Sequence, residues 1–197
     1  MRIPEAAFAS ILEELRRQPL PVNNYRKKSG EGRSQAFGLV NRRCMPPDYS
    51  RQCWKRPYLY KLLLDFAEQH VDISFNAITV NQGYKADKHR DKGNVGDSFL
   101  VGFGDYKGGE LLIHEGDLSG SWNIRGNPIV TDFSRVLHSV ADFTGERVSL
   151  VYYTLKGVGE NIPKSSVKWD YDTNKWVFYR GNEKIGHRGL EHPLRKS

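Results

Sequence analysis

Five residues of types that bind metal ions and diacids occur in a telling order along this 197-residue chain: His89, Asp91, His138, Arg147 and Ser149. In an extended segment, residues i and i+2 point to one side. His89 and Asp91 of the run His89-Arg90-Asp91 can therefore converge on one point while Arg90 faces away. His138 follows 49 residues after His89. Two imidazoles and one carboxylate make up the facial triad, which leaves coordination positions open and suits non-haem Fe(II). Arg147 and Ser149 share one face of an apolar strand. A guanidinium and a hydroxyl there can fix the far carboxylate of a diacid whose other end chelates the metal.

Taken singly, each part has a plainer reading: a surface His/Asp pair, a structural histidine, a surface arginine. The ordered set is far more specific than its parts. Two alternatives stay open. His114, in the run Glu110–His114 after Gly108-Gly109, competes as a ligand, but it lacks an arginine at the right distance downstream and ranks as a core or supporting residue. A zinc hydrolase could use the same three ligands, but it would leave Arg147 without a role.

The elements that must position these residues are mainly β. Phe8, Ile11, Leu12 and Leu15 carry helical spacing over 5–18, stopped by Pro19 and Pro21. A second helix is predicted over Pro57–Gln69, with proline at its start. Residues 22–56, rich in Gly, Pro, Asn and basic side chains, read as loop with short extended pieces. From Phe75 onward the period becomes two. Strands are predicted at 75–80, Ser98–Phe103, Glu110–His114, Pro128–Asp132, Arg135–His138 and Arg147–Leu155, and a hairpin over Val167–Tyr179 turns at Asp172-Thr173-Asn174. Short, evenly spaced strands between Gly and Asp predict an antiparallel sandwich or barrel. The chain reads as one domain: a helical, basic support region (1–70), a β core (71–160), and a hairpin with a basic tail (161–197).

Composition narrows the partners. With 38% hydrophobic and 12% aromatic residues the chain is globular. No apolar run approaches a membrane span, and no signal peptide is visible at the N-terminus. Cys44 and Cys53 read as reduced intracellular thiols. The net charge of +7 is uneven. Residues 67–160 hold 9 basic and 13 acidic side chains, net −4, while both flanks are basic. Aromatic residues are interleaved with basic ones at Tyr25-Arg26-Lys27-Lys28 and from Arg42 to Tyr58, a mixture that suits phosphate contact and base stacking.

The order His89-x-Asp91, His138, Arg147-x-Ser149 resembles the Fe(II)/2-oxoglutarate-dependent dioxygenases, and Gly108-Gly109-Glu110-Leu111 is similar to a strand of that family. The run His89-Arg90-Asp91-Lys92-Gly93-Asn94 resembles the HxDxxN signature of the TET/JBP group, as do Val80-Asn81 before it and Gly96-Asp97-Ser98 after it. The resemblance implies a double-stranded β-helix, or jelly-roll, core with flanking helices. It implies Fe(II) on His89, Asp91 and His138, and 2-oxoglutarate held by Arg147 and Ser149, with O₂ as oxidant and ascorbate as reductant. It also implies oxidation of the 5-methyl group of cytosine or thymine in nucleic acid, with Asn94 reading the base. Phe37-Gly38, Arg42-Arg43, Ser50 and Pro57-Tyr58-Leu59 are similar to the N-terminal part of small homologues. Arg42 is thereby a candidate for the cosubstrate, and Arg43 and Trp54 for the substrate. The Cys-rich zinc region and the long insert of animal TET enzymes are absent, so the resemblance is to a minimal viral, phage, algal or fungal type. The implied protein is an intracellular monomer acting on DNA ahead of RNA. The competing expectations are a prolyl-hydroxylase-like enzyme acting on a protein side chain and a non-catalytic nucleic-acid-binding module.

Overall fold

The computed structural model describes residues 2–22, 30–42, 45–158 and 164–189. Arg43, Cys44, the run Tyr25-Arg26-Lys27-Lys28 and the end of the basic tail lie outside the described residues. A 3-10 turn (Glu5–Phe8) leads into helix α1 (Ala9–Arg17). Strands β1 (Gly30–Arg42) and β2 (Met45–Tyr49) follow, then helices α2 (Arg51–Lys55) and α3 (Pro57–His70). The remaining elements are strands: β3 (Ala77–Ala86), β4 (Asn94–Phe103), β5 (Tyr106–Gly108), β6 (Leu111–Ile113), β7 (Gly120–Trp122), β8 (Ile129–Thr131), β9 (His138–Val140), β10 (Phe143–Gly145), β11 (Val148–Leu155), β12 (Ser165–Asp170), β13 (Lys175–Arg180) and β14 (Glu183–Arg188). No helix among the described residues is long and apolar enough to cross a membrane.

Six strands form the main antiparallel sheet in the order β2-β1-β3-β11-β4-β8, and a smaller sheet runs β7-β6-β9. Crossed-over order in a main sheet, with a second sheet beside it, is the jelly-roll arrangement expected from the sequence. Register decides which side chains face which layer. Leu150 stands opposite Val80 and Val101, and Tyr152 opposite Ile78 and Phe99. These positions, even-numbered on β3 and β11 and odd-numbered on β4, are buried against the helices in one large apolar core. Phe8 stacks on Phe103 at 4.6 Å, and the Tyr152 hydroxyl donates to the Leu63 carbonyl of α3 at 2.9 Å. The odd-numbered positions Thr79, Asn81, Ser149 and Val151 face the other way, into the space under the small sheet. There Leu100, Leu111, Ile113, Ile124 and Phe133 make a second, smaller core.

Two stretches differ from the sequence reading. Residues expected to be loop form the 13-residue β1, which pairs along β3 from Gly30↔Ala86 to Gly38↔Ala77. The glycine that reads as a loop marker is there for close approach. Gly38 has φ +76°, and a Cβ on it would lie 2.5 Å from the Asn76 carbonyl oxygen. The Gly38 N–H donates to the buried Cys53 sulfur at 3.0 Å, and burial pushes that thiol up to about 12. Part of the expected basic tail is the strand β14, paired to β13 from Trp176↔Arg188 to Arg180↔Glu183. The hairpin itself turns where expected, with Asn174 at φ 49°. Smaller shifts follow from tertiary pairing: β4 begins at Asn94 rather than Ser98, and β9 begins at His138 after a turn through Arg135.

Candidate metal centre

After β3 the chain turns and His89 docks on β9 by a reciprocal backbone pair. The His89 N–H donates to the His138 carbonyl at 2.9 Å, and the His138 N–H to the His89 carbonyl at 3.0 Å. The Asp91 N–H donates to the Phe133 carbonyl at 3.0 Å. The Phe133 ring lies 4.8 Å from that of His138. One ligand atom from each of His89, Asp91 and His138 then falls within 4.8 Å of the others. That is close to the span one ion with bonds of about 2.0–2.2 Å draws together.

Both imidazoles are fixed from behind. Nδ1 of His89 donates to the Asp87 carbonyl at 2.7 Å, and Nδ1 of His138 to the Val136 carbonyl at 3.0 Å. A carbonyl only accepts, so each Nδ1 carries the proton and each Nε2 presents its lone pair. His89 Nε2 lies 3.4 Å from Asp91 Oδ1. A lone pair and a carboxylate facing each other at that distance can share a cation, so the donor set fits a metal. Burial of His138 holds its imidazole below the usual range, with the Val136 hydrogen bond and Asp91 opposing. A neutral imidazole is the form that ligates.

The three ligands sit at one side of a narrow cavity of about 90 Å³, whose other walls include Thr79, Asn81, Asn94, Leu100, Arg147, Ser149 and Val151. Arg147 is 2% exposed. Its Nε donates to the Gly109 carbonyl at 3.0 Å, and the rings of Phe143 and Tyr106 lie 5.5 and 5.6 Å from the guanidinium carbon. Burial pulls its pKa below the ordinary arginine value. Among the described residues no carboxylate pairs with it. Gly109 makes this route possible. Its φ is +73°, and a Cβ there would come within 2.8 Å of Arg147 Cδ and Nε. A larger hollow of about 300 Å³ lies between α1 and the β4–β5 turn, lined by Phe8, Leu12, Phe103 and Arg125 among others. It carries no ligand cluster of its own among the described residues.

The structure thus brings together His89, Asp91, His138, Arg147, Ser149 and Asn94 around one cavity. It separates the others. Arg42, expected at the cosubstrate, ends β1 on the surface, where its guanidinium pairs with Asp48 across the strand pair. Trp54, expected at the substrate, packs between α2 and the C-terminal sheet, 4.3 Å from Phe178. Arg43 lies outside the described residues. His114 is excluded from the cluster by sheet alternation. Leu111 and Ile113 face inward, so His114 faces outward, where its Nε2 shares a 2.8 Å hydrogen bond with Ser139 Oγ.

No family model and no curated protein matches the chain. Among solved structures it is similar to NgTET1 in complex with 5mC DNA, with TM-score 0.55 and 16% identity, over 81% of this chain and 71% of that one. The chain shares the fold of NgTET1. A 2OG-Fe(II) oxygenase family oxidoreductase from Burkholderia pseudomallei (TM-score 0.46, 16% identity, 78% and 92% covered) and a Pseudomonas putida prolyl-4-hydroxylase (TM-score 0.48, 17% identity, 79% and 89% covered) are more distant likenesses.

Within this TET-like fold, two residues to which the sequence reading gave no role stand beside Arg147. Asn81 Nδ2 donates to Ser149 Oγ at 3.2 Å, while its Oδ1 is buried without a partner among the described residues. Turning the amide over lets Ser149 donate to Oδ1 and leaves the NH₂ facing the cavity, where an acid oxygen would accept. Tyr106 lies behind the arginine. Its hydroxyl is buried without a partner near Gly102, and Arg125 covers its ring at 4.7 Å. A buried guanidinium with no carboxylate ion-paired to it among the described residues, beside a turnable amide and a hydroxyl, fits a dicarboxylate cosubstrate.

Proposed function

We propose that this chain is an Fe(II)- and 2-oxoglutarate-dependent oxygenase. Its substrate would be the 5-methyl group of 5-methylcytosine or thymine in nucleic acid, DNA ahead of RNA, converted to 5-hydroxymethyl. One observation carries the reading: a three-residue cluster of metal-binding types and a buried arginine with no ion-paired carboxylate among the described residues share a single cavity. The likeness in fold to NgTET1, solved with 5mC DNA, supports a nucleic-acid substrate.

His89, Asp91 and His138 would hold the iron, and Arg147 with Ser149 and Asn81 the far carboxylate of 2-oxoglutarate. Bound iron supplies the oxidation of a C–H bond by O₂, coupled to oxidative decarboxylation of 2-oxoglutarate to succinate and CO₂. The protein's share is positioning and dryness. Leu100, Leu111, Val140 and Val151 in the wall exclude water. Asn94, at the first position of β4, offers both a donor and an acceptor to a pyrimidine edge. A base in a duplex must leave the stack to reach it, at a cost of a few kcal/mol.

The test is incubation with Fe(II), 2-oxoglutarate, ascorbate and methylated DNA or RNA, followed by mass spectrometry of the nucleosides. The expected product is 5-hydroxymethylpyrimidine together with succinate. Succinate without any altered nucleoside would move the substrate to another class, such as a protein side chain. Neither product would overturn the enzymatic reading.

A further inference from the structure

The acid-rich segment 67–160 contains nine basic side chains, and their partners can be followed one by one. Lys85 pairs with Asp142, Arg90 with Glu115, Arg125 with Asp105 and Arg135 with Asp132. Arg147 is buried in the cavity wall. Four remain, Lys88, Lys92, Lys107 and Lys156, all exposed and none in an ion pair among the described residues.

Three of these four surround one place. Lys88 precedes His89, and Lys92 lies between Asp91 and Asn94. The Lys156 N–H donates to the Gly93 carbonyl at 2.8 Å, and its neighbour Leu155 stands opposite Asn94 in the sheet. The uncompensated lysines thus flank His89 and Asp91, both half-buried, and the cavity-lining Asn94. Asp87 and Asp97, the exposed carboxylates nearest in sequence, form no ion pair with them among the described residues. Six of the fifteen flank cations among the described residues are engaged elsewhere. Arg33 and Arg56 donate to the carbonyls of Leu20 and Gln18, and Arg16, Arg17, Arg42 and Lys61 are tied to Glu146, Glu14, Asp48 and Asp65.

Unpaired ammonium groups around a cavity mouth are suited to phosphate oxygens, which fix register without reading sequence. We propose that Lys88, Lys92 and Lys156 form a phosphate clamp, gripping the polynucleotide backbone on both sides of the nucleotide whose base enters beside Asn94. This rests on the nucleic-acid reading above and adds to it the residues that hold the backbone.

The experiment is fluorescence anisotropy with a labelled single-stranded 5-methylcytosine oligonucleotide and the full chain, titrated between about 50 and 200 mM NaCl. Each phosphate contact adds about 0.7 to the slope of log K against log salt for a single strand. The K88Q/K92Q/K156Q variant is therefore expected to lose about 2 from the slope. The K88R/K92R/K156R variant is expected to keep it, and so is K107Q, which removes the unpaired lysine of β5. Thermal melts of each variant check folding. A glutamine triple variant that is folded and retains the wild-type slope overturns the clamp while leaving the nucleic-acid reading in place. Failure of the wild-type chain to bind the oligonucleotide at any salt overturns both.

Discussion

At the scale of the residue, the centre is defined by protons as much as by positions. Both Nδ1 atoms are committed to carbonyls, so metal affinity depends on keeping Nε2 unprotonated. Burial of His138 lowers its pKa in the folded chain relative to about 6.5 when unfolded. The unfolded state then binds the proton more readily, so this contribution to stability is present above about 6.5 and is lost as pH falls through the folded value. The melting temperature of the metal-free chain should fall on acidification below that point, and His138→Gln should flatten that part of the profile in a calorimetric pH series. Asp91→Ala removes the only carboxylate of the cluster. Manganese at a hundred times its dissociation constant should stabilise the wild type by about 2.7 kcal/mol and the variant by almost nothing, read by thermal shift. On the far side of the cavity, Asn81→Ala removes a polar partner for the cosubstrate. It should raise the KM for 2-oxoglutarate about five- to tenfold, the worth of roughly 1 kcal/mol.

At the scale of the element, the turn after β5 carries more of the site than any helix does. The guanidinium of Arg147 passes directly over Gly109. In Gly109→Ala a methyl group would occupy that path in a left-handed backbone. The expected result is a KM for 2-oxoglutarate raised at least tenfold with the fold retained, measured by succinate release alongside far-UV circular dichroism. The elements also show where sequence was informative. The clustering of His89, Asp91 and His138 in a cavity shared with Arg147 was legible because residue type, order and spacing single these residues out before any pairing is known. Asn81 and Tyr106 were not, because their meaning comes from strand register: Asn81 matters through standing opposite Ser149, and Tyr106 through reaching back near Gly102. β1 was obscured by glycines placed for close backbone approach, and β14 by basic residues that suggested a tail. Arg42 was drawn to the site by the resemblance of its segment and Trp54 by the mix of aromatic and basic residues around it, and packing gave them other partners.

At the scale of the whole molecule, one sheet separates two cores of unequal size. The larger unites the helices with the C-terminal sheet, where Trp176 is 1% exposed and packs on Trp169 at 5.2 Å. The cavity belongs to the opposite face. Trp176→Ala should cost about 3–5 kcal/mol, which lowers the melting temperature by roughly 10 °C or more in a chain of this length, while the KM for 2-oxoglutarate stays unchanged. The reciprocal backbone bonds between His89 and His138 have a further consequence. They fix the spacing of the two imidazoles through the main chain, which is the same whatever ion the centre takes. Affinity among divalent ions then follows the intrinsic order, with nickel, copper and zinc above iron. Such a centre is prone to mismetallation: its working fraction would be set by the iron supply of its surroundings, and zinc would act as a poison that a chelator followed by fresh Fe(II) reverses.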